Sequence, residues 1–340
     1  MSVINQQNNP RELLDKISFQ YGISSDDLNL LAEADNNFIY EFSQNGKEFI
    51  LRAGTRHTEE LINAEIEWIL FLNDTGVKVS IPVLSNNKNY HEQVKHDGII
   101  YSIVVFEKAP GGKVDLKNPE EWNEQFWETM GGVMGDLHQA SVQYNNLKPK
   151  FRRPMYYEDE YIDLAAQIFS KNDAIIIKKV DDLLQQFEQL PKDPDAFGVI
   201  HTDLHTDNFH KDGNDMIIFD WDDSYHFFFT YDLAAAFHET IWDNPLDKRQ
   251  QFADRFIPAF WKGYSRKYPL DRKWLAYLPQ FFKWREFIIY AFLIKEIAKE
   301  DLTDRYKSFL TRCITEFRNW LVNDTQIVNI PADLTKWFPY

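Results

Sequence analysis

The sequence has almost no cysteine. Cys313 is the single cysteine among 340 residues, so an intrachain disulfide is impossible and a four-cysteine zinc site is excluded. Such a composition is typical of a protein in the reducing cytoplasm. The first ten residues, MSVINQQNNP, are polar and lack the basic and then apolar layout of a signal peptide. We therefore expect a cytoplasmic protein.

Long apolar runs and an excess of basic residues are also missing. The longest apolar run, Phe287–Ile294, is far shorter than the roughly 20 residues that cross a bilayer. Lys and Arg number 37 against 53 Asp and Glu, which gives a net charge of −16. Because an acidic surface repels nucleic acid and anionic membranes, we expect neither as a partner. Oligomeric state is not encoded in any of these features.

Hydrophobic residues make up 44% of the whole chain and supply a packed interior. The first third of the chain mixes strand and helix patterns. The turn signal Gln44-Asn45-Gly46 predicts a hairpin between two strands. The predicted elements here are a helix over Arg11–Tyr21, hairpin strands over Phe38–Phe42 and Glu48–Arg52, a helix over Thr58–Leu72 and a buried strand over Ile99–Phe106.

The chain after Gly112 is mainly helical in pattern. Helical periodicity covers Trp122–Ala140, Tyr161–Leu190 and several stretches within Leu246–Val322, and strand-like runs interrupt it only at Val199–Phe219. We therefore expect an α+β protein with two lobes. Residues 1–107 would form a small sheet-containing lobe and residues 108–340 a larger helical one, joined at a Pro-Gly hinge near residue 110.

Polar side chains cluster in that strand-like interruption. They are His201, Asp203, His205, Asp207, Asn208, Asp220, Asp222 and Asp223. A hairpin that turns at Asp212-Gly213 would bring Asp220 back close to Asn208. Carboxylate and amide oxygens are ligands that suit Mg²⁺. Asp203, a further carboxylate that the metal does not need, can orient a hydroxyl and accept its proton, which is the division of labour in phosphoryl transfer.

The spacing of these residues resembles the aminoglycoside phosphotransferase and choline kinase-like family, which has the protein-kinase-like fold. The matching motifs are His-x-Asp-x-x-x-x-Asn at His201–Asn208, Ile218-Phe219-Asp220, and Asp-Leu-Ala at Asp232–Ala234. The opening of the chain looks closest to the homoserine-kinase-like and stress-response-kinase branch. The resemblance implies Asp203 as the catalytic base, Asn208 and Asp220 as Mg²⁺ ligands, and Asp232 as a structural brace, with His201 supporting the loop.

The resemblance also implies ATP-binding residues in the first lobe. Arg52, in Phe49–Arg52, stands where most kinases have the phosphate-gripping Lys, and Glu65 resembles its partner on the next helix. The Glu107 carbonyl and the Ala109 N–H would bind adenine. Glu33–Phe42 takes the place of the phosphate loop but contains no glycine, so Asn36 and Asn37 would supply its polar contacts.

The expected activity is ATP- and Mg²⁺-dependent phosphorylation of a hydroxyl on a small molecule such as an amino alcohol, an aminoglycoside or homoserine. ATP and GTP are not distinguished. The candidate substrate contacts are His205, Asp222, Tyr264 and Arg285.

Three alternatives stay open. The first is a stress-response-type Ser/Thr protein kinase, although no activation segment is recognisable between Asp220 and Asp232. The second is a zinc hydrolase whose ligands would come from His201, Asp203, His205, Asp207 and His210. The third is a catalytically silent nucleotide-binding protein, which Arg52 in place of Lys keeps open.

Overall fold

The computed structural model describes residues 10–34, 37–169, 173–300 and 302–340. The chain divides into two compact units. The first contains the described residues up to Lys113 together with Lys148–Arg153 and Phe209–Asp222. The second contains Val114–Leu147, Pro154–Asn208 and Asp223–Tyr340. The first unit is thus assembled from three separate segments of the chain, whereas the sequence predicted one boundary, between residues 107 and 108.

The described helices and strands follow one another as α1 (Pro10–Tyr21), β1 (Asn29–Ala34), β2 (Asn37–Gln44), β3 (Lys47–Gly54), α2 (Glu59–Asp74), β4 (His91–His96), β5 (Ile99–Glu107), α3 (Glu124–Asn145), α4 (Glu160–Ile168), α5 (Ala174–Gln189), β6 (Phe197–Ile200), β7 (Phe209–Asp212), β8 (Asp215–Ile218), β9 (Tyr225–Phe228), α6 (Phe229–Trp242), α7 (Arg249–Lys267), α8 (Leu278–Ile297) and α9 (Asp304–Asn323). A small antiparallel sheet and a larger helical part are both present, so the predicted fold class is confirmed.

The first unit is built on a five-stranded antiparallel sheet in the order β1-β2-β3-β5-β4. The predicted hairpin joins β2 to β3, and Gln44 pairs with Lys47. Asn45 and Gly46 between them have φ of 54° and 77°. Asn-Gly is the pair that accepts two left-handed residues in succession, which is why this hairpin could be predicted from sequence.

The two faces of this sheet have different roles, because successive side chains of a strand point to opposite sides. Leu51 and Ala53 of β3 are buried in a core that includes Leu13 and Ile17 of α1. Arg52 lies between them on the strand and therefore faces the other way. It pairs with Val104 of β5, which packs in a second cluster with residues of α2.

Two helices of the second unit approach each other closely at glycine. A Cβ at Gly131 of α3 would lie 1.8 Å from the carbonyl oxygen of Phe260 on α7. Likewise, a Cβ at Gly263 of α7 would lie 1.8 Å from the carbonyl oxygen of Glu128. Any side chain there would force the helices apart, so these two glycines fix the α3–α7 packing.

The centre of the second unit is aromatic and contains few charges. Helix α6 is buried over almost its whole length, and α8 packs against it. A charge in such surroundings is costly unless it is paired. Asp232 of α6 and Arg285 of α8 are both buried here, and each makes several polar contacts.

Strands β1, β4 and β9 were not predicted, and the expectation that strand structure ends at Phe219 is wrong. In β4 the buried positions include the polar Glu92 and His96, so burial alternates while hydrophobicity does not. The aromatic run of β9 continues into α6 without any turn residue. Helical periodicity over Tyr161–Leu190 corresponds to two helices, α4 and α5.

Within the described residues, no helix is long and apolar enough to cross a membrane.

Candidate active site

The predicted catalytic loop runs from the end of β6 to the start of β7 and is fixed by one buried carboxylate. Asp232, in the first turn of α6, accepts hydrogen bonds from the backbone N–H of His201 (3.2 Å) and of Thr202 (2.8 Å). Thr202 has φ of 73°, an uncommon and strained conformation for a β-branched residue. The two bonds to Asp232 hold the chain in this turn, which directs the next residue, Asp203.

Asp232 is itself held by His138 of α3. His138 Nε2 lies 3.2 Å from Asp232 Oδ2, and His138 Nδ1 lies 2.7 Å from the Tyr264 hydroxyl. Burial lowers the pKa of His138, although the neighbouring Asp232 acts in the opposite direction. In the neutral imidazole Nε2 donates to the carboxylate, so Nδ1 accepts from the Tyr264 hydroxyl. These contacts fit the bracing role predicted for Asp232.

Tyr264 was predicted as a substrate contact, and its position does not support that role. The side chain is fully buried, and its hydroxyl is used by His138. Burial raises the pKa of Tyr264 well above its ordinary value. The residue therefore extends the chain of support behind the catalytic loop and is not open to an acceptor.

The Asp203 carboxylate is held at both oxygens. Asn208 Nδ2 donates to Asp203 Oδ2 at 3.0 Å and to the Asp203 carbonyl at 2.9 Å. His205 Nε2 lies 3.3 Å from the same Oδ2. Arg285 Nη2 donates to the other oxygen, Oδ1. The carboxylate is nevertheless 31% exposed, so it is both fixed in orientation and accessible to a ligand.

Opposing effects set the pKa of the Asp203 carboxylate. Burial alone would raise the pKa of Asp203, but the Arg285 guanidinium and the hydrogen bond from His205 outweigh it and hold that pKa well below its usual range. The pKa of His205 is raised, because the Asp203 carboxylate outweighs the effect of burial on the imidazole. Asp203 is therefore ionised at neutral pH, as a group that takes the proton of a hydroxyl must be.

His201 is buried and lies behind Asp203. Its Nδ1 accepts a 3.3 Å hydrogen bond from the Asp203 backbone N–H. This contact is within the loop, in agreement with the supporting role expected for His201.

A basic side chain is clamped in the first unit. Arg52 Nη1 and Nη2 donate to Glu65 Oε1 and Oε2 at 3.0 and 2.5 Å, in a bidentate pair between β3 and α2. The Arg52 guanidinium also lies over the Phe106 ring, 5.4 Å from its centroid. Both charged side chains are largely buried. The sequence-based pairing of Arg52 with Glu65 thus corresponds to a direct contact.

Asp222 faces three basic side chains of the same unit. Its Oδ2 lies 3.9 Å from Arg52 Nη1, 3.6 Å from Arg56 Nη1 and 3.4 Å from His57 Nε2. Burial would raise the pKa of Asp222, but these neighbours lower it well below its usual value. Arg56 and His57 were not predicted, although both occur in the loop that follows β3. Asp222 is therefore part of a buried charge cluster in the first unit.

The other predicted nucleotide and metal residues of the first unit lie at strand ends. Asp220 follows β8, is exposed and has φ of 67°. The Glu107 carbonyl at the end of β5 accepts a hydrogen bond from the Ser80 hydroxyl. The Ala109 carbonyl lies 2.9 Å from His210 Nδ1. Asn37 is the first residue of β2 and pairs with Gly54 of β3, whereas Asn36 lies outside the described residues.

The sequence matches a known family, and this match distinguishes between the alternative functions of the site. A family model described as "Phosphotransferase enzyme family" matches residues 29–277, which is more than half of the chain. The chain belongs to the phosphotransferase enzyme family. The match spans every predicted site residue except Arg285, and it favours phosphoryl transfer over the zinc-hydrolase alternative.

Individual relatives of this phosphotransferase are also small-molecule kinases by name. It is 29% identical over 321 residues to the amicoumacin kinase of Bacillus subtilis (strain 168), covering 93% of each chain. A solved amicoumacin kinase in complex with AMP-PNP, Ca²⁺ and Ami is 28% identical, with a TM-score of 0.87 and 98% of each chain covered. A microcompartment-associated aminopropanol kinase is 20% identical with a TM-score of 0.71, covering 93% of this chain and 98% of that one, and shows the shared fold.

The support of the phosphotransferase loop by Asp232 can be tested by mutation. We expect Asp232→Ala to lower the free energy of unfolding by roughly 3–5 kcal/mol, because it leaves the buried N–H groups of His201 and Thr202 and the His138 imidazole without their acceptor. Equilibrium denaturation would measure the change. Asp136→Ala is the control: Asp136 forms an exposed ion pair with Lys267, and its loss should cost about 0–1 kcal/mol. Equal losses in the two variants would contradict the bracing role.

Proposed function

We propose that the protein is an ATP- and Mg²⁺-dependent kinase that transfers the γ-phosphoryl group to a hydroxyl of a small molecule. The observation that carries this proposal is the Asp203 carboxylate, which is ionised, partly exposed and held at both oxygens in a chain of the phosphotransferase family. Phosphoryl transfer needs little covalent participation by the protein, so a fixed acceptor for the hydroxyl proton is a main requirement.

Asp203 would act directly on the acceptor. Its carboxylate would accept a hydrogen bond from the attacking hydroxyl and orient the oxygen toward phosphorus. It would take the proton as the new P–O bond forms and the bond from the γ-phosphorus to ADP breaks. Asn208 and His205 hold one carboxylate oxygen and Arg285 the other, so the proton acceptor has a defined direction. A carboxylate that is fixed at both oxygens and still partly exposed argues against a catalytically silent protein.

Asn208 and Asp220 would hold the divalent metal. Since Asn208 uses its Nδ2 to bind Asp203, its amide oxygen is the atom suited to a cation. The Asp220 carboxylate is exposed, and both are hard oxygen donors of the kind that Mg²⁺ prefers. When bound, the metal would neutralise charge on the ATP phosphates.

Arg52 and Glu65 would serve the nucleotide in the first unit. The bidentate ion pair fixes the guanidinium, and the planar fork of Arg recognises phosphate as well as carboxylate. The Glu107 carbonyl and the Ala109 N–H would bind the adenine edge, and Asn37 would contact phosphate. Arg52 therefore takes the place of the usual Lys in this proposal.

The relatives suggest the acceptor. The chain is 29% identical to an amicoumacin kinase, and the alignment covers 93% of each chain. An amicoumacin-like hydroxyl compound is therefore the first candidate. The chain between Asp220 and Asp232 consists largely of β9 and the start of α6, which leaves no room for a long activation segment and disfavours a protein acceptor.

The net charge of the protein is −16, so nucleic acid and anionic membranes are not proposed as its partners. The reducing cytoplasm is its proposed location.

The role of Asp203 predicts a specific kinetic defect. Asp203→Asn keeps the shape of the side chain but removes the basic oxygen, so turnover should fall by about 10²–10⁴-fold. MgATP affinity, measured by calorimetry, should change little because Asp203 is assigned to the hydroxyl. A variant that retains wild-type turnover would overturn the assignment.

The nucleotide and metal proposal predicts stabilisation by ligand. MgATP at about 100 times its Kd should stabilise the wild-type protein by about 2.7 kcal/mol and raise its melting temperature. Asp220→Ala should abolish the part of this shift that depends on Mg²⁺. Asp215→Ala, in the same hairpin but paired with Lys78, is the matched control and should respond like the wild type. A wild-type protein that shows no shift would count against ATP as the cofactor.

An acceptor panel would test the substrate class. Purified enzyme with MgATP should release ADP at the highest rate with an amicoumacin-like compound, compared with aminopropanol, an aminoglycoside, homoserine and a protein substrate. Turnover with the protein alone would instead favour the stress-response-type kinase. Replacing ATP by GTP in the same assay would establish the nucleotide preference.

A further inference from the structure

Arg285 is a buried charge in α8, where it stands among aromatic positions and between the charged residues Lys283 and Glu286. The neighbouring positions include Phe281, Phe282, Trp284 and Phe287, all buried, and the Arg285 side chain is only 9% exposed. A guanidinium in such a place is retained only if its donors are satisfied by acceptors of matching geometry. The contacts of Arg285 therefore indicate which groups this residue positions.

Three acceptors from two parts of the fold meet at Arg285. Nη2 donates to Asp203 Oδ1, Nη1 donates to the carbonyl of Thr202 at 3.3 Å, and Nε donates to Glu239 Oε1 of α6 at 2.9 Å. Burial would raise the pKa of Glu239, but Arg285 lowers it to about 2, so both members of this pair are charged. The planar guanidinium thus ties the catalytic loop to α6.

The contact with Thr202 is informative because Thr202 is the strained residue of the loop. Its N–H is held by Asp232, and its carbonyl is held by Arg285. With φ of 73°, a threonine would relax toward a common conformation if either contact were lost, and the relaxation would move Asp203. Arg285 therefore controls both the backbone that leads into Asp203 and one oxygen of its carboxylate.

We infer that Arg285 is the positioning residue for the Asp203 carboxylate and makes no contact with the acceptor. The inference rests on the proposed function, because it assigns Arg285 a role through Asp203 in phosphoryl transfer. It replaces the expectation that Arg285 binds substrate. With Oδ1 held by Arg285 and Oδ2 by Asn208 and His205, the carboxylate cannot rotate without breaking contacts on both sides.

The two roles of Arg285 differ in their kinetics. An arginine that binds the acceptor would, when removed, raise KM for the acceptor. A positioning arginine would lower kcat, because misplacement of a catalytic group by about 1 Å costs on the order of 10²-fold in rate. We therefore expect Arg285→Met to lower kcat by about 100-fold, while KM for ATP and for the acceptor stays within roughly threefold of wild type.

Arg249→Met is the matched control for the loss of a buried arginine. Arg249 of α7 is equally buried in the second unit, donates to Glu316 Oε1 at 2.7 Å, and binds the carbonyls of Asn244 and Trp242, but it makes no described contact with the catalytic loop. The Arg249→Met variant should be less stable than the wild type but should keep its kcat within about threefold of the wild-type value. Thermal melting of both variants would show that the comparison is made on folded protein.

A second pair of variants separates charge from geometry. Arg285→Lys keeps the positive charge, so it should fold even if Arg285→Met does not. Its kcat should still be low, because one ammonium cannot reach three acceptors in the geometry of the guanidinium fork. In Arg285→Ala, added guanidinium at low millimolar concentration should raise kcat in a saturable way, and the same concentration of urea should not.

Each outcome of these experiments has a defined meaning. If the wild type phosphorylates an acceptor and Arg285→Met loses no more kcat than Arg249→Met, the inference is wrong and the proposed function stands. A rise in KM for the acceptor with unchanged kcat would also overturn it and restore Arg285 as a substrate contact. If the wild type turns over no acceptor at all, the proposed function fails and takes the inference with it.

Discussion

The catalytic loop of this protein depends on two buried charges that hold one strained residue. Thr202 adopts a left-handed conformation, its N–H is bound by Asp232, and its carbonyl is bound by Arg285. Neither charge would be stable among the aromatic side chains of the second unit without partners, and each finds them in the loop and in its own neighbours, His138 and Glu239. The fold and the site are therefore coupled: the contacts that satisfy these two buried charges also direct Asp203.

Local sequence patterns predicted the elements that local chemistry determines. The Asn45-Gly46 turn marked its hairpin, and the turn at Asp212-Gly213 marked β7 and β8. Strand β4 was missed because Glu92 is buried and satisfied by Ser85, Asn87 and Asn89, an arrangement that no hydrophobic pattern reveals. Strand β9 was missed because its aromatic residues continue into α6 without a break.

The site was predictable to the extent that its residues are close in sequence. Asp203 and Asn208 are five positions apart, and the resemblance that rests on this spacing assigned both to one site, where their side chains are in contact. Arg285 and Glu239 join the same site from distant helices, so only the folded chain brings them to Asp203. Arg285 stands just before the apolar run Phe287–Ile294, and nothing in its local sequence indicates which groups it contacts. The substrate-binding role predicted for Tyr264 failed for the same reason, because the burial of this side chain depends on packing by other helices.

The central claim is that this chain moves a phosphoryl group from ATP to a hydroxyl, with Asp203 as the proton acceptor. Phosphorus-31 NMR of a reaction with MgATP and an accepted substrate tests it most directly, because the signal distinguishes a phosphate ester from inorganic phosphate. The account predicts one phosphomonoester on the acceptor for each ADP formed, and loss of that signal in Asp203→Asn. ADP accompanied only by inorganic phosphate, or an undiminished ester signal in the variant, would contradict it.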